Sequence, residues 1–388
     1  MQRLGTMIRQ LAKHRSQWEG LMKAGAASAA SSGTSQPISS RLVETHNFGA
    51  NPGNLRMFTY APPKLASSPR LVVVLHGCTQ TAAGYDHGSG WSTLAERYGF
   101  VVLFPEQQEA NNPKRCFNWF QTGDTDREQG EVASIRQMVE RAIRDHGIDP
   151  KCVFVTGLSA GGAMAAALLA TYPDVFAGGA IIAGLPYRSA TSVPEAFEAM
   201  FQGQERPAAA WGNLVRNASP HRGPWPKVSI WHGSADTTVK PMNAGEIVKQ
   251  WTDVHGLPAQ PSRTEIVNGY PHRVWTNAAG DDVIEEYVIT GMAHGTPLAT
   301  GDEENHYGAA GPFLLEAGIS SSYNAAKFFG LAEQVISKKT SAIPETASFQ
   351  SVPAPQQKVA APAKPAASKV LDIGEVIANA LKGAGLMR

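Results

Sequence analysis

Cys152-Val153-Phe154-Val155-Thr156-Gly157-Leu158-Ser159-Ala160-Gly161-Gly162-Ala163-Met164 is the stretch on which the reading of this chain turns. CVFV is a short β-branched and aromatic run, which predicts a buried strand. From Gly162 to Tyr172 (GAMAAALLATY) the small and apolar residues predict a helix. Gly157 to Gly161 lies between the two as Gly-x-Ser-x-Gly. That pattern is common by chance in a glycine-rich chain, but strand, tight turn and helix around it are specific. The turn puts Ser159 in an unfavourable backbone conformation, and the flanking glycines permit it because a Cβ would meet the neighbouring strand or helix. It also lifts the serine Oγ to a helix N-terminus, where developing negative charge is favoured.

On either side the chain alternates strand and helix. Leu55 opens a strand (LRMFTYAP) after the turn Asn51-Pro52-Gly53-Asn54. Leu71–Leu75, Phe100–Phe104, Ala180–Ala183 and Val228–Trp231 are further buried strands, and Glu286–Thr290 (EYVIT) is expected to close the series. Trp91–Tyr98 and Val132–His146 read as helices, the second with Val132, Ile135, Val139, Ala142 and Ile143 on one face. This alternation predicts an α/β domain with a mostly parallel sheet and helices on both faces.

A serine hydroxyl is a poor nucleophile until a base takes its proton, so a histidine and an orienting carboxylate are required. In such a sheet they follow in the order Ser, Asp or Glu, His. Asp236 lies in the loop after VSIW (HGSAD), and His294 lies in the loop after EYVIT (GMAHG). Both fall at the carboxyl ends of strands, where open α/β sheets bind ligands. The rivals are weaker. Asp281 and Asp282 precede their strand, His306 lies farther along a loop, and His232 is expected to shape the loop bearing Asp236. An oxyanion would be received by the backbone N–H of Ala160 and by that of Cys78, in the His76-Gly77-Cys78 loop after LVVVL. Cys116-Phe117-Asn118-Trp119-Phe120 follows FVVLF on the same side. Trp119, Phe120 and Asn118 are therefore the candidate substrate contacts, with simple packing under the loop as the other reading. The long insertion from Pro186 to Pro226 reads as a partial lid or as decoration.

Composition limits the alternatives. The 388 residues are 43% hydrophobic and 17% charged, enough apolar material for a sizeable core. Thirty-four Lys+Arg against thirty-three Asp+Glu leave a net charge of +1, which argues against nucleic acid as a partner. No apolar run approaches the ~20 residues of a membrane span. Three cysteines make neither a disulfide scaffold nor a zinc set, and nothing in the sequence calls for a metal or cofactor.

The ends differ from the middle. Residues 1–40 hold a basic amphipathic pattern, with Leu4, Met7, Ile8 and Leu11 opposite Arg3, Arg9, Lys13 and Arg15, followed by an Ala/Ser linker. Charges interrupt every stretch that would serve as the apolar part of a secretory signal. Residues 336–388 hold an Ala/Pro-rich linker and a second amphipathic pattern through Ile373, Val376, Ile377 and Leu381. The catalytic domain is thus expected within 41–335, with the terminal helices either loosely attached or adsorbing to a surface.

LHGCTQ, CFNWF, GLSAGG, HGSAD and GMAHGTP, in this order, resemble the esterase family of poly(3-hydroxybutyrate) depolymerases, within the α/β-hydrolase superfamily and related to feruloyl and acetylxylan esterases. The resemblance implies a cofactor-free serine esterase acting on polyester or on ester-bearing polysaccharide, with Ser159, Asp236 and His294 as triad and Cys78 with Ala160 as oxyanion donors. Family members are commonly secreted, which implies an extracellular location. The lack of a clear signal makes the cytoplasm the alternative. Gly295-Thr296-Pro297 departs from the aromatic that often follows the family's histidine. In an oxidising compartment Cys78 and Cys116 are a candidate disulfide; otherwise they are buried thiols, and Cys152 stays unpaired. A rival of another class is a non-catalytic protein that coats a polymer granule through its terminal helices.

Overall fold

The computed structural model describes residues 40–301 and 305–332. The amphipathic terminal segments of the sequence lie outside these residues.

The strands are β1 (Val43–Thr45), β2 (Arg56–Tyr60), β3 (Leu71–Leu75), β4 (Val101–Glu106), β5 (Val153–Leu158), β6 (Gly178–Ile182), β7 (Lys227–Gly233), β8 (Arg263–Val267), β9 (Tyr270–Thr276), β10 (Asp282–Ile289), β11 (Thr296–Leu298) and β12 (Leu314–Glu316). The helices are α1 (Ala82–Ser89), α2 (Trp91–Tyr98), α3 (Thr122–Thr125), α4 (Gly130–His146), α5 (Ala160–Thr171), α6 (Val193–Phe201), α7 (Ala208–Arg216), α8 (Met242–His255) and α9 (Ser321–Phe328). One ten-stranded sheet runs in the order β1-β2-β4-β3-β5-β6-β7-β10-β9-β8. From β4 to β10 every pairing is parallel, whereas β1–β2, β2–β4, β10–β9 and β9–β8 are antiparallel.

The central strands are apolar throughout because helices cover both faces. In β3 the alternation is direct: Leu71, Val73 and Leu75 enter the core under α4, α5 and α8, while Val72 and Val74 enter the core under α1, α2 and α9. Each such fully buried side chain contributes roughly 1.5–3 kcal/mol. Helix α5 is buried along its whole length. Its small residues let it lie close to the sheet, and a Cβ on Gly162 would sit 2.9 Å from the Ile182 carbonyl oxygen.

In chain order EYVIT belongs to the last strand of this sheet, β10, but β10 is not its edge. After α8 the chain forms the hairpin β8–β9, which extends the sheet beyond β10. Its turn is Asn268-Gly269, with φ of 49° and 85°. These are the two positive values a two-residue hairpin turn requires. The stretch 186–226 carries α6 and α7, and α6 packs beside the candidate site. Among the described residues no helix is long and apolar enough to cross a membrane.

Candidate active site

Ser159 sits where β5 turns into α5, with φ 58° and ψ −117°. A non-glycine residue in that region costs on the order of 1–3 kcal/mol and needs fixed surroundings. They are supplied by the Ser159 N–H donating to the Ile182 carbonyl at 2.9 Å and by the Ala163 N–H donating to the Ser159 carbonyl at 2.9 Å. The two glycines of the motif are sterically required. A Cβ on Gly157 would approach the Leu75 Cβ to 2.9 Å, and one on Gly161 would approach the His76 carbonyl oxygen to 2.6 Å.

The Ser159 Oγ lies 2.9 Å from His294 Nε2, and His294 Nδ1 lies 2.7 Å from Asp236 Oδ2. The three residues come from the ends of β5, β7 and β10 and are all shielded from solvent. Asp236 Oδ1 accepts the backbone N–H groups of Thr238 at 2.8 Å and Val239 at 2.9 Å. Burial pushes this carboxyl up. Hydrogen bonding to His232 and His294 outweighs it and leaves the group well below the usual carboxylate range. Asp236 is therefore ionised at neutral pH. With the carboxylate on Nδ1, His294 donates from that nitrogen and presents Nε2 as an acceptor to the serine hydroxyl. A hydroxyl so placed can pass its proton to the ring as it attacks a carbonyl.

Cys78 and Ala160 line the cavity beside Ser159. Among the described residues neither backbone N–H has a protein acceptor. The Cys78 loop is braced from several sides: Gly77 N–H donates to Gln80 Oε1 at 2.8 Å, Thr79 N–H donates to the Lys114 carbonyl at 2.7 Å, and Cys78 is disulfide-bonded to Cys116. Cys152 is free.

The cavity measures about 210 Å³ and is mostly apolar. Trp119 and Phe120 form one wall, edge to face at 5.6 Å. Asn118 does not line the cavity, contrary to the expectation from sequence. Its side-chain oxygen accepts from Asn112 Nδ2 at 3.1 Å and its N–H donates to Glu131 Oε2 at 2.9 Å, so it braces the loop from beneath. The opposite wall comes from α6 through Val193, Ala196, Phe197 and Met200. Sequence reasoning left these out, although their spacing of three, four and seven is that of one helix face. Asn112 and Lys114 also line the cavity.

The rivals for the triad positions lie elsewhere. Asp282 pairs with Arg263 at 2.7 Å, and His294 rather than His306 bridges Ser159 and Asp236. Where the sequence lacks an aromatic after His294, Phe313 stands edge-on to the imidazole at 6.1 Å. Among the described residues no cluster of His, Cys, Asp and Glu could hold a metal ion.

Residues 55–264 match the family described as Esterase PHB depolymerase. The chain is 50% identical to poly(3-hydroxyalkanoate) depolymerase C of Paucimonas lemoignei over 75% of its own length and 70% of that protein's. It is 34% identical to an acetylxylan esterase of Coprinopsis cinerea, covering 66% of the chain and 70% of the relative. Among solved structures, the acetyl xylan esterase from Aspergillus awamori superposes with a TM-score of 0.64 at 29% identity, covering 75% of this chain and 99% of that one.

Proposed function

The chain belongs to the Esterase PHB depolymerase family and is a carboxylic-ester hydrolase, and on that premise we propose that Ser159, His294 and Asp236 are its catalytic triad, on an α/β-hydrolase fold, with a polyester of short hydroxyacyl units or its oligomers as substrate. The observation that carries the reading is the continuous chain of contacts from Ser159 Oγ through His294 to Asp236, at 2.9 and 2.7 Å, opening on an apolar cavity.

Ser159 Oγ attacks the ester carbonyl while its proton moves to His294 Nε2. The carbonyl oxygen takes up the negative charge and is received by the N–H groups of Cys78 and Ala160, at the positive end of α5. One such donor stabilises the transition state by about 3 kcal/mol. Asp236 holds the imidazolium by Nδ1. The intermediate then collapses: the carbon–oxygen bond to the alcohol breaks, and His294 returns its proton to that alcohol. A water molecule repeats the sequence on the acyl-serine, giving the free acid and restoring Ser159.

The polyester reading rests on the identity to the depolymerase and on the apolar walls of Trp119, Phe120 and α6, which suit an aliphatic acyl unit better than a sugar. The likeness to acetylxylan esterases along nearly the whole of one solved chain favours acetyl or feruloyl groups on polysaccharide as the second reading. An extracellular site of action fits an insoluble polymer and the Cys78–Cys116 bond, and the terminal amphipathic segments would adsorb the enzyme to that polymer.

Two measurements test this. Ser159→Ala should melt as the wild type does, lose fluorophosphonate labelling and lose turnover by roughly four orders of magnitude or more. Full activity in that variant would remove Ser159 from the mechanism. Product release from hydroxybutyrate oligomers, acetylated xylan and feruloyl sugars, compared side by side, separates the substrates. A preference for either sugar ester overturns the polyester reading while leaving the triad standing.

A further inference from the structure

Asp236 faces two histidines. His294 Nδ1 lies 2.7 Å from Oδ2, and on the other side His232 Nε2 lies 3.3 Å from the same oxygen. His232 Nε2 is also 2.9 Å from the carbonyl oxygen of Val239. A carbonyl oxygen only accepts, so Nε2 carries the ring proton. The other nitrogen, Nδ1, is buried and has no hydrogen-bond partner among the described residues. The Nε2–H is thus directed at Val239 and Asp236. Val239 is thereby fastened at both ends, its N–H on Asp236 Oδ1 and its C=O on His232. The other carboxyl group beside His232 is Glu286 of β10. That carboxylate has its own partner in Arg273, 2.5 Å away.

We propose that His232 is a positioning residue of the triad: its Nε2–H fixes the Asp236 loop through Val239 and draws negative charge on the oxygen that holds His294. The proposal rests on the triad reading above. An N–H donor beside Oδ2 leaves less negative charge to stabilise the His294 imidazolium, which tunes the base as well as placing it. Removing the donor should therefore have two effects. Asp236 Oδ2 loses its fixed position, which slows turnover, and its charge is shared with fewer donors, which raises the basicity of His294.

The test is the pH profile of kcat/KM on a soluble p-nitrophenyl ester, using the full chain, with melting recorded for every variant. In His232→Leu we expect kcat to fall roughly 30-fold with KM nearly unchanged, within the range that a displaced catalytic group costs. The acid limb of the profile should move up by about half a unit, the direction expected when a donor to the partner carboxylate is lost. His232→Gln puts an amide N–H near the position of Nε2 and should recover both the limb and most of the turnover. If His232→Leu does not fold, His232→Asn, too short to reach the Val239 carbonyl, should give the same two readings. An unmoved acid limb in a folded donor-less variant, or equal impairment in His232→Gln, would overturn the proposal and leave His232 as packing. Asp236→Asn measured alongside separates the levels. Wild-type turnover in that variant would sink the triad itself, whereas loss of turnover there with an unmoved limb in His232→Leu would sink only the role of His232.

Discussion

His76 accepts the Gln107 N–H on Nε2 at 3.1 Å and so donates from Nδ1 to the Gly77 carbonyl at 2.7 Å. That carbonyl belongs to the same peptide unit as the Cys78 N–H, so the imidazole sets the plane of a proposed oxyanion donor. Burial holds the His76 pKa down to about 4, against an ordinary value of 6.5. Between those two values the unfolded chain binds a proton that the folded chain refuses, so the stability this residue contributes is complete above pH 6.5 and is lost as the pH falls toward 4. The loss amounts to about 3 kcal/mol. His76→Gln should be less stable than the wild type at pH 7.5, and the gap in melting should narrow through that window. A gap independent of pH would show that His76 does not titrate on unfolding. The three residues that the structure brings together could be picked out in the sequence: Ser159 from its glycines, Asp236 and His294 from their places after two apolar strands. The place of Asn118 could not be, because its partners Asn112 and Glu131 are brought to it by folding of the loop and not by any local pattern.

The elements were legible wherever one physical cause dominated the sequence. β3 and β5 are buried on both faces and read as unbroken apolar runs, whereas β8 has its residues mostly exposed and carries Arg263, Thr264 and Glu265. Polarity hid that edge strand, although the Asn268-Gly269 pair announced its turn. α6 was read only as part of an insertion, since nothing local says against which surface an amphipathic face will pack. The cysteine-bearing loops are where element and function meet. Cys78 follows β3 and Cys116 follows β4, and their bond joins a proposed oxyanion loop to the loop bearing Trp119 and Phe120. Closing a segment with a sequence separation of 38 stabilises the fold by about 4 kcal/mol on chain-entropy reasoning. Cys78→Ser/Cys116→Ser should therefore melt several degrees lower and turn over soluble esters more slowly, because the Cys78 N–H is held less firmly. Peptide mapping without reduction of protein from an oxidising compartment checks the bond, and freely alkylated thiols at both positions would remove this basis for the prediction.

At the scale of the molecule, the described residues hold two cores, the ten-stranded sheet and the proposed triad. The net charge of +1 gives no long-range attraction to a charged surface. Adsorption must then come from local features, and the sequence supplies two, a basic amphipathic pattern at one end and an apolar helical pattern at the other, each behind a linker-like stretch. Two weak tethered contacts on one surface reinforce each other by effective concentration. A dissolved ester gains nothing from such contacts, while an insoluble polyester has to be reached by the enzyme. A chain trimmed to residues 41–335 should therefore keep its kcat/KM on soluble p-nitrophenyl esters. It should pellet less with polyester particles and degrade them more slowly, and removal of either end alone should give an intermediate loss. Equal pelleting of full and trimmed chains would leave the terminal segments without a role in adsorption, and a trimmed chain that cannot fold would make them part of the core.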